Sequence, residues 1–475
     1  MIRIGGVDFA LRPTCHPIVV APSATTVEAA RSAPTCPVPP SFLQQDHLDG
    51  VLGGVSTGVY LAMVTHLPGT PDLTALTAVI TDFVRSHDGL RTWFEPTADG
   101  CLRHIVDPEA MRYETKELDS VDGGDWATAL TEYFDRVSSP LQWPSSAFAV
   151  LTAADGFDLV FAVDHAFSDG MSQALAALEL TERYRAQIAR RAVAWPEPGG
   201  SSADYATDER ARAADGLAAD LYPFWQDTLG ENDFRLPVSP IERGGPAPKR
   251  HRRRLETSVL LDGELAAAFD QLLARSGENV STAMFSVLAL ADFETTGSEF
   301  YWSLNVLSTR FGARFRTAQG WFCNFVPVSF ELPPVPSFAA TLPRARDGLE
   351  RGRQMSRLPA HGAIAQLFAR GYGAELVTRE PSFVTLLDLR SVDAALGAES
   401  ATRIITADGT TSTVSIWLGR NSTEYFVCIG APDLPETWEQ AADFVELLRR
   451  ILGSIARTGD YRSAYPLAAI SGIWQ

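Results

Sequence analysis

An apolar run from Phe157 to Val163 breaks at Asp164-His165, and a helical pattern takes over from Gly170. Phe157, Leu159, Phe161 and Val163 alternate, which predicts a strand with one apolar and one mixed face. Leu175, Leu178, Tyr184 and Ile188 then share one helical face. A strand, a short polar loop and an amphipathic helix in succession restrict this region to a mixed α/β arrangement, since each apolar face must be buried against another element. The alternation recurs along the chain. A helix from Asp72 to Val84 puts Leu73, Leu76, Ile80, Phe83 and Val84 on one side, with Asp72 as its cap. A strand and helix lie between Leu255 and Ala274, a helix from Thr282 to Phe293 and a strand from Tyr301 to Leu307. Val326, Val328, Phe330 and Leu332 form a further strand, and its Pro327 predicts an edge position or a bulge. The last long helix, Pro435 to Leu452, presents Trp438, Ala442, Val445, Leu448 and Leu452 together. The fold class is therefore α/β (α+β mixed).

At 475 residues the chain exceeds one ordinary core and fits two domains of roughly 200 residues each. A Pro/Gly/Ser-rich break between Trp195 and Ser202 and a second at Ser239, Gly245 and Pro248 bracket a bridge. The division expected is 1–195, a bridging segment 196–254, and 255–475. The bridge ends in the basic run Lys249-Arg250-His251-Arg252-Arg253-Arg254, read as a solvated linker or as a contact for an acidic protein or a phosphate.

A formal net charge of -18 argues against nucleic-acid partners and anionic membrane surfaces. The five cysteines, Cys15, Cys36, Cys101, Cys323 and Cys428, form neither a C-x-x-C pair nor a zinc spacing, and the histidines are dispersed, so no metal and a reduced interior are expected. No signal-peptide pattern opens the chain and no apolar stretch reaches 18 residues, which predicts a cytoplasmic protein without membrane insertion.

Histidine exchanges a proton near neutral pH, and a loop after a strand can present it to a cleft, which makes His165 the first catalytic candidate. Gly170 permits the turn into the next helix, whose N-terminal amides could favour a developing oxyanion. The pattern H-x-x-x-D-G, here His165, Asp169 and Gly170, arises by chance in on the order of a few per cent of chains this long. Other segments agree with it in order. His165-x-x-x-Asp169-Gly170 resembles the second-histidine part of the condensation-domain core H-H-x-x-x-D-G. Arg85-Ser86-His87-Asp88-Gly89-Leu90-Arg91-Thr92-Trp93-Phe94 resembles that superfamily's R-H-x-x-L-R-T-x-F segment, and Gly320-Trp321-Phe322-Cys323-Asn324, preceded by Arg310, its G-x-F-x-N strand. The opening strand, Pro39-Pro40-Ser41-Phe42-Leu43-Gln44 and Gln319-Gly320-Trp321-Phe322 look closest to polyketide-associated acyltransferases, with free-standing condensation enzymes of nonribosomal peptide and other natural-product pathways similar enough to stand beside them.

The resemblance implies two chloramphenicol-acetyltransferase-like halves in a V-shaped pseudo-dimer, with a central active-site tunnel reaching His165. It implies an acyltransferase that moves an acyl or aminoacyl group from a thioester to a hydroxyl or amine, with His165 as base. Asp169 would pair with Arg310 across the two halves and, with Gly170, support the loop. Ser168, Trp321 and Asn324 are possible substrate or tunnel contacts. The donor would be coenzyme A or the phosphopantetheine arm of an acyl or peptidyl carrier protein, the acceptor a small alcohol or amine, and the enzyme a monomer with no bound cofactor. Two departures accompany it: Asp164 stands where the first histidine is usual, and Val414-Ser415-Ile416-Trp417-Leu418-Gly419-Arg420 occupies the place of a D-F-G-W-G segment, which puts tunnel closure in question. They leave open a second reading, an inactive docking module for a carrier protein. A third takes Gly170-Met171-Ser172-Gln173-Ala174 as a partial nucleophile elbow, making Ser172 the nucleophile of a hydrolase that would have to recruit His251 or His361. His87, Arg91 and Trp93 read as structural.

Overall fold

The computed structural model describes residues 2–6, 17–54, 60–98, 100–118, 126–216, 221–242, 249–376, 380–397, 400–407 and 409–463. They form two compact units that interleave in sequence. The first comprises Met1–Ala211, Ser308–Cys323 and Ser391–Gly409, and the second Arg212–Leu307, Asn324–Arg390 and Thr410–Gln475. The stretch read as a bridge, 196–254, contains helix Ser202–Gly216, helix Tyr222–Gly230 and the start of strand His251–Asp262.

A seven-stranded sheet organises the first unit, in the order Ile2–Gly5, Thr402–Thr406, Tyr60–Pro68, Gly156–Asp164, Ser146–Ala153, Pro17–Pro22, Tyr113–Glu117. The motif strand Gly156–Asp164 is central and antiparallel to both neighbours, with Asp164 opposite Tyr60 and Phe161 opposite both Met63 and Phe148. On the face carrying Phe161, its ring stacks on Phe148 at 5.0 Å and meets Phe83 of helix Leu73–Ser86 edge-on at 5.5 Å. The other face, expected to be mixed, is also buried: Val160 and Ala162 pack with Leu130 and Phe134 of helix Trp126–Val137. Helices cover both faces, so the central strand has no wet side.

Helix Leu73–Ser86 begins where its sequence requires, with the Asp72 carboxylate accepting the amide of Ala75 at 2.9 Å. The motif helix Gly170–Ile188 departs from expectation. Its buried residues include Ala174, Ala176, Ala177, Glu179, Leu180 and Arg183, whereas Leu175 and Leu178 are half-buried and Ile188 is exposed. Small side chains let the helix approach the sheet closely, and an internal polar network pairs its buried charges. The His87 imidazole lies 2.9 Å from Glu179, and Arg183 donates to Glu179 at 2.7 Å and to the Ser86 hydroxyl at 3.1 Å.

In the second unit, the sheet order is Cys323–Glu331, Phe300–Ser308, Phe383–Asp388, Ser415–Arg420, Glu424–Pro432, His251–Asp262, Thr410–Thr411. Pro327 sits in the edge strand, where its missing N–H costs no ladder bond on the open side. Helix Val280–Thr296 is buried from Thr282 to Phe293 without a break, beside helices Phe338–Met355 and Pro435–Thr458. Ala441 rather than Ala442 faces the core of that last helix, with Trp438, Val445, Leu448 and Leu452 as expected. The basic run is strand rather than linker: Arg253 and Arg254 pair with Pro432 and Ala431, Arg254 lies over the Trp438 ring at 4.6 Å, and Arg250 pairs with Glu380. Cys15 lies outside the described residues, and Cys36, Cys101, Cys323 and Cys428 are free thiols.

Phe161→Ala is expected to cost about 3–5 kcal/mol, because a cavity between two rings cannot close in a sheet covered on both sides. Urea unfolding followed by circular dichroism measures it, and a loss under about 1 kcal/mol would show that the neighbours collapse into the space.

Candidate active site

The motif strand ends at Asp164, a single 3-10 turn carries His165–Phe167, and the motif helix begins after the Asp169 cap. Ala166, Phe167, Ser168 and Asp169 are buried, while His165 is half-buried, so of these residues it alone keeps access to solvent. Its ring centroid lies 4.0 Å from that of Trp321, tilted by 41°. Trp321 is held there through Gly320. The Ser172 hydroxyl donates to the Gly320 carbonyl at 2.6 Å, and a Cβ on Gly320 would stand 2.7 Å from the Phe322 ring, so no larger residue fits without a shift.

The carboxylate of Asp169 joins these pieces. Oδ1 accepts the Ser172 amide at 2.6 Å and faces Arg310 Nη2 at 3.4 Å; Oδ2 accepts the Phe322 amide at 2.8 Å and lies 3.7 Å from the Cys323 sulfur. Arg310 also donates to the carbonyls of Phe315 and Ala318 at 2.9 and 2.6 Å and lies over the Phe322 ring at 4.4 Å. The expected Asp169–Arg310 pair forms, but inside the first unit and not across two halves, because Ser308–Cys323 folds with the N-terminal segment. The first turn of the motif helix is thereby capped by an anion, which removes the case for that turn as an oxyanion site. Desolvation, and Asp169 alongside, push the Cys323 thiol well above its ordinary range, so it is no nucleophile at neutral pH.

Beside both His165 and Trp321 stands a residue that sequence reasoning missed. His47 of helix Phe42–Leu52 places Nε2 at 3.0 and 3.3 Å from the two Asp164 oxygens, and its ring centroid is 6.4 Å from that of His165 and 6.1 Å from that of Trp321. One turn earlier Gln44 donates to the Ala166 carbonyl at 2.8 Å, accepts from Arg103 at 3.0 Å and closes a capping box with Ser41. Only the unusual Asp164, a carboxylate on a buried loop, signalled that a partner was needed; a separation of 117 residues hides which one.

The comparisons with known proteins agree with this geometry. The condensation-domain family profile matches residues 52–394. The chain belongs to the condensation-domain family. Acyltransferase PapA3 of Mycobacterium tuberculosis is 24% identical over 477 residues, covering 97% of this chain and 98% of that one. Trehalose-2-sulfate acyltransferase PapA2 of Mycobacterium tuberculosis is 25% identical over 439 residues, covering 90% and 92%. Among solved structures, PapA2 acyl transferase superposes with a TM-score of 0.85 at 23% identity over 95% of this chain and 99% of that one. The first condensation domain of the calcium-dependent antibiotic synthetase gives 0.69 at 19% identity, covering 88% and 96%. An acyltransferase enzyme is what these full-length relatives support.

Within this condensation-domain protein the remaining candidates are structural. The Ser168 hydroxyl is fully buried and accepts from Gln173 at 2.8 Å, which leaves it no face for a substrate. Asn324 donates to the carbonyls of Ser356 and Leu358 and accepts the amides of Phe325 and Ala360, so its amide is spent inside the second unit. Ser172 is buried between Gly320 and Arg310 with no imidazole among these partners, which removes the hydrolase reading. His87 is buried against Glu179, and Trp93 stacks on His104 at 4.2 Å. Where a D-F-G-W-G segment was sought, Ser415–Arg420 is a strand between Phe383–Asp388 and Glu424–Pro432. Among the described residues no cluster of three or more His, Cys, Asp or Glu side chains could hold a metal ion, and no helix is long and apolar enough to cross a membrane.

Asp169→Asn should destabilise the protein by about 3–5 kcal/mol, because Arg310, 7% exposed, keeps its charge without its partner; an unchanged thermal midpoint would contradict the role. With native protein at pH 8, iodoacetamide followed by mass spectrometry should leave Cys323 unmodified until the chain is unfolded, and modification at the rate of an exposed thiol would contradict the assigned shift.

Proposed function

We propose that the chain transfers an acyl group from a thioester to a hydroxyl, with His165 as general base. The observation that carries this is the His165 imidazole, half-buried beside Trp321 on a turn whose neighbouring residues are buried. His165 accepts the proton of the acceptor hydroxyl as its oxygen bonds to the thioester carbonyl carbon. The carbon–sulfur bond then breaks, and the departing thiolate takes the proton from the imidazolium. Atoms and charge balance without a covalent enzyme intermediate. A hydroxyl is preferred over an amine because the relatives include acyltransferases named for trehalose-2-sulfate and for 2'-acyl-2-O-sulfo-trehalose. The donor is the thioester of a carrier protein's phosphopantetheine arm or of coenzyme A.

The docking-module reading keeps one supporting observation, a fold match of TM-score 0.67 to the X-domain from teicoplanin biosynthesis, whose complex with OxyB has been solved. Thiol release separates the two. Wild type given acyl-coenzyme A and acyl-carrier donors with alcohol and amine acceptors should show acceptor-dependent release, reduced about 100- to 10,000-fold in a folded His165→Ala variant. Equal release by both removes His165 as base, whereas carrier binding with no release from any donor favours docking.

A further inference from the structure

Asp164 is 2% exposed and directly precedes the base. A buried carboxylate needs donors, and two meet it. The Ala166 amide donates to Oδ1 at 2.8 Å, and the His47 imidazole lies 3.0 Å from the same oxygen. Gln44 and His47 are three residues apart and share a helical face, so helix Phe42–Leu52 grips the 164–167 loop at two points, the Ala166 carbonyl and the Asp164 carboxylate. The position that family members usually fill with histidine holds the carboxylate, and the imidazole comes from a different element. The His47 side chain is 7% exposed and turned to Asp164, so it acts through that residue and not on a substrate.

We propose that His47 and Asp164 form a positioning pair for this transfer: His47 holds the Asp164 carboxylate, which braces the turn that carries His165. The inference rests on His165 being the base.

The test compares kcat and KM of thiol release for wild type, His165→Ala, His47→Ala, His47→Gln, His47→Asn and Asp164→Asn. His47→Ala is expected to lower kcat about 10- to 100-fold with KM within about twofold, since misplacing a base affects the transition state more than binding. Glutamine, whose amide nitrogen reaches the place of Nε2, should restore most of kcat, and the shorter asparagine should not; this contrast decides the matter even if alanine fails to fold. Asp164→Asn keeps the side-chain shape and an acceptor for Ala166 while replacing one carboxylate oxygen by an amide nitrogen, and should lower kcat about 10-fold with KM within about twofold. Wild-type kcat in His47→Ala, equal kcat for glutamine and asparagine, or wild-type kcat in Asp164→Asn would each overturn the pairing while His165→Ala stays inactive. Activity retained by His165→Ala would overturn the base assignment itself.

Discussion

The carboxylate of Asp169 is where the candidate site is held together. It is 3% exposed and receives the amides of Ser172 and Phe322, with the Arg310 guanidinium and the Cys323 thiol beside it. A buried carboxylate in this position is stable only while its donors stay in place, so the loop after the motif strand and the segment that delivers Trp321 behave as one body. These segments lie about 150 residues apart in sequence, as the 153-residue separation of Phe322 and Asp169 records. His165 owes its fixed relation to Trp321 to a residue that itself faces no solvent, and such bracing lets a base act without reorganising at each turnover.

A second set of buried polar groups supports the loop through Gln44 and Phe94. Arg103 is 1% exposed, donates to the carbonyls of Val38 and Pro39 and to Gln44, and lies over the Phe94 ring. Burial pulls its guanidinium down to about 10, the mark of a charge kept from water by its surroundings. Phe94 stacks on Phe167 of the His165–Phe167 turn at 5.7 Å, so apolar and polar packing converge on the same few residues. Groups of this kind are costly to bury, and losing one partner costs more than replacing the whole set with apolar side chains. Their presence around a half-exposed histidine fits a protein that spends stability on geometry.

Short-range physics made much of the fold legible. The alternation at Phe157–Val163, the Asp72 cap and the Pro327 edge strand depend on period, hydrogen-bonding chemistry and a missing N–H, all local properties. The motif helix was harder because its core face carries alanines and a paired glutamate and arginine, whereas Ile188, apolar and near the helix end, stays exposed. Hydrophobic periodicity assumes that buried means apolar, and fails where buried charges are matched by His87 and Ser86 from elsewhere in the chain. The run Lys249–Arg254 misled only as a linker: from His251 it pairs as a strand, while Lys249, Arg250, Arg252 and Arg254 stay exposed, as their charge predicts.

By itself the sequence determined the class of fold, the strand-loop-helix corner and His165 as the residue to examine, because those follow from periodicity and from residues adjacent in the chain; the family came from the resemblance of several separate segments in order. Tertiary structure alone decided that Ser308–Cys323 folds with the N-terminal segment, that Asp169 and Arg310 therefore meet within one unit, that Asn324 and Ser168 are spent on backbone and side-chain bonds, and that His47 completes Asp164. Each of these depends on which distant groups share a desolvated space, and a one-dimensional pattern holds no measure of that distance.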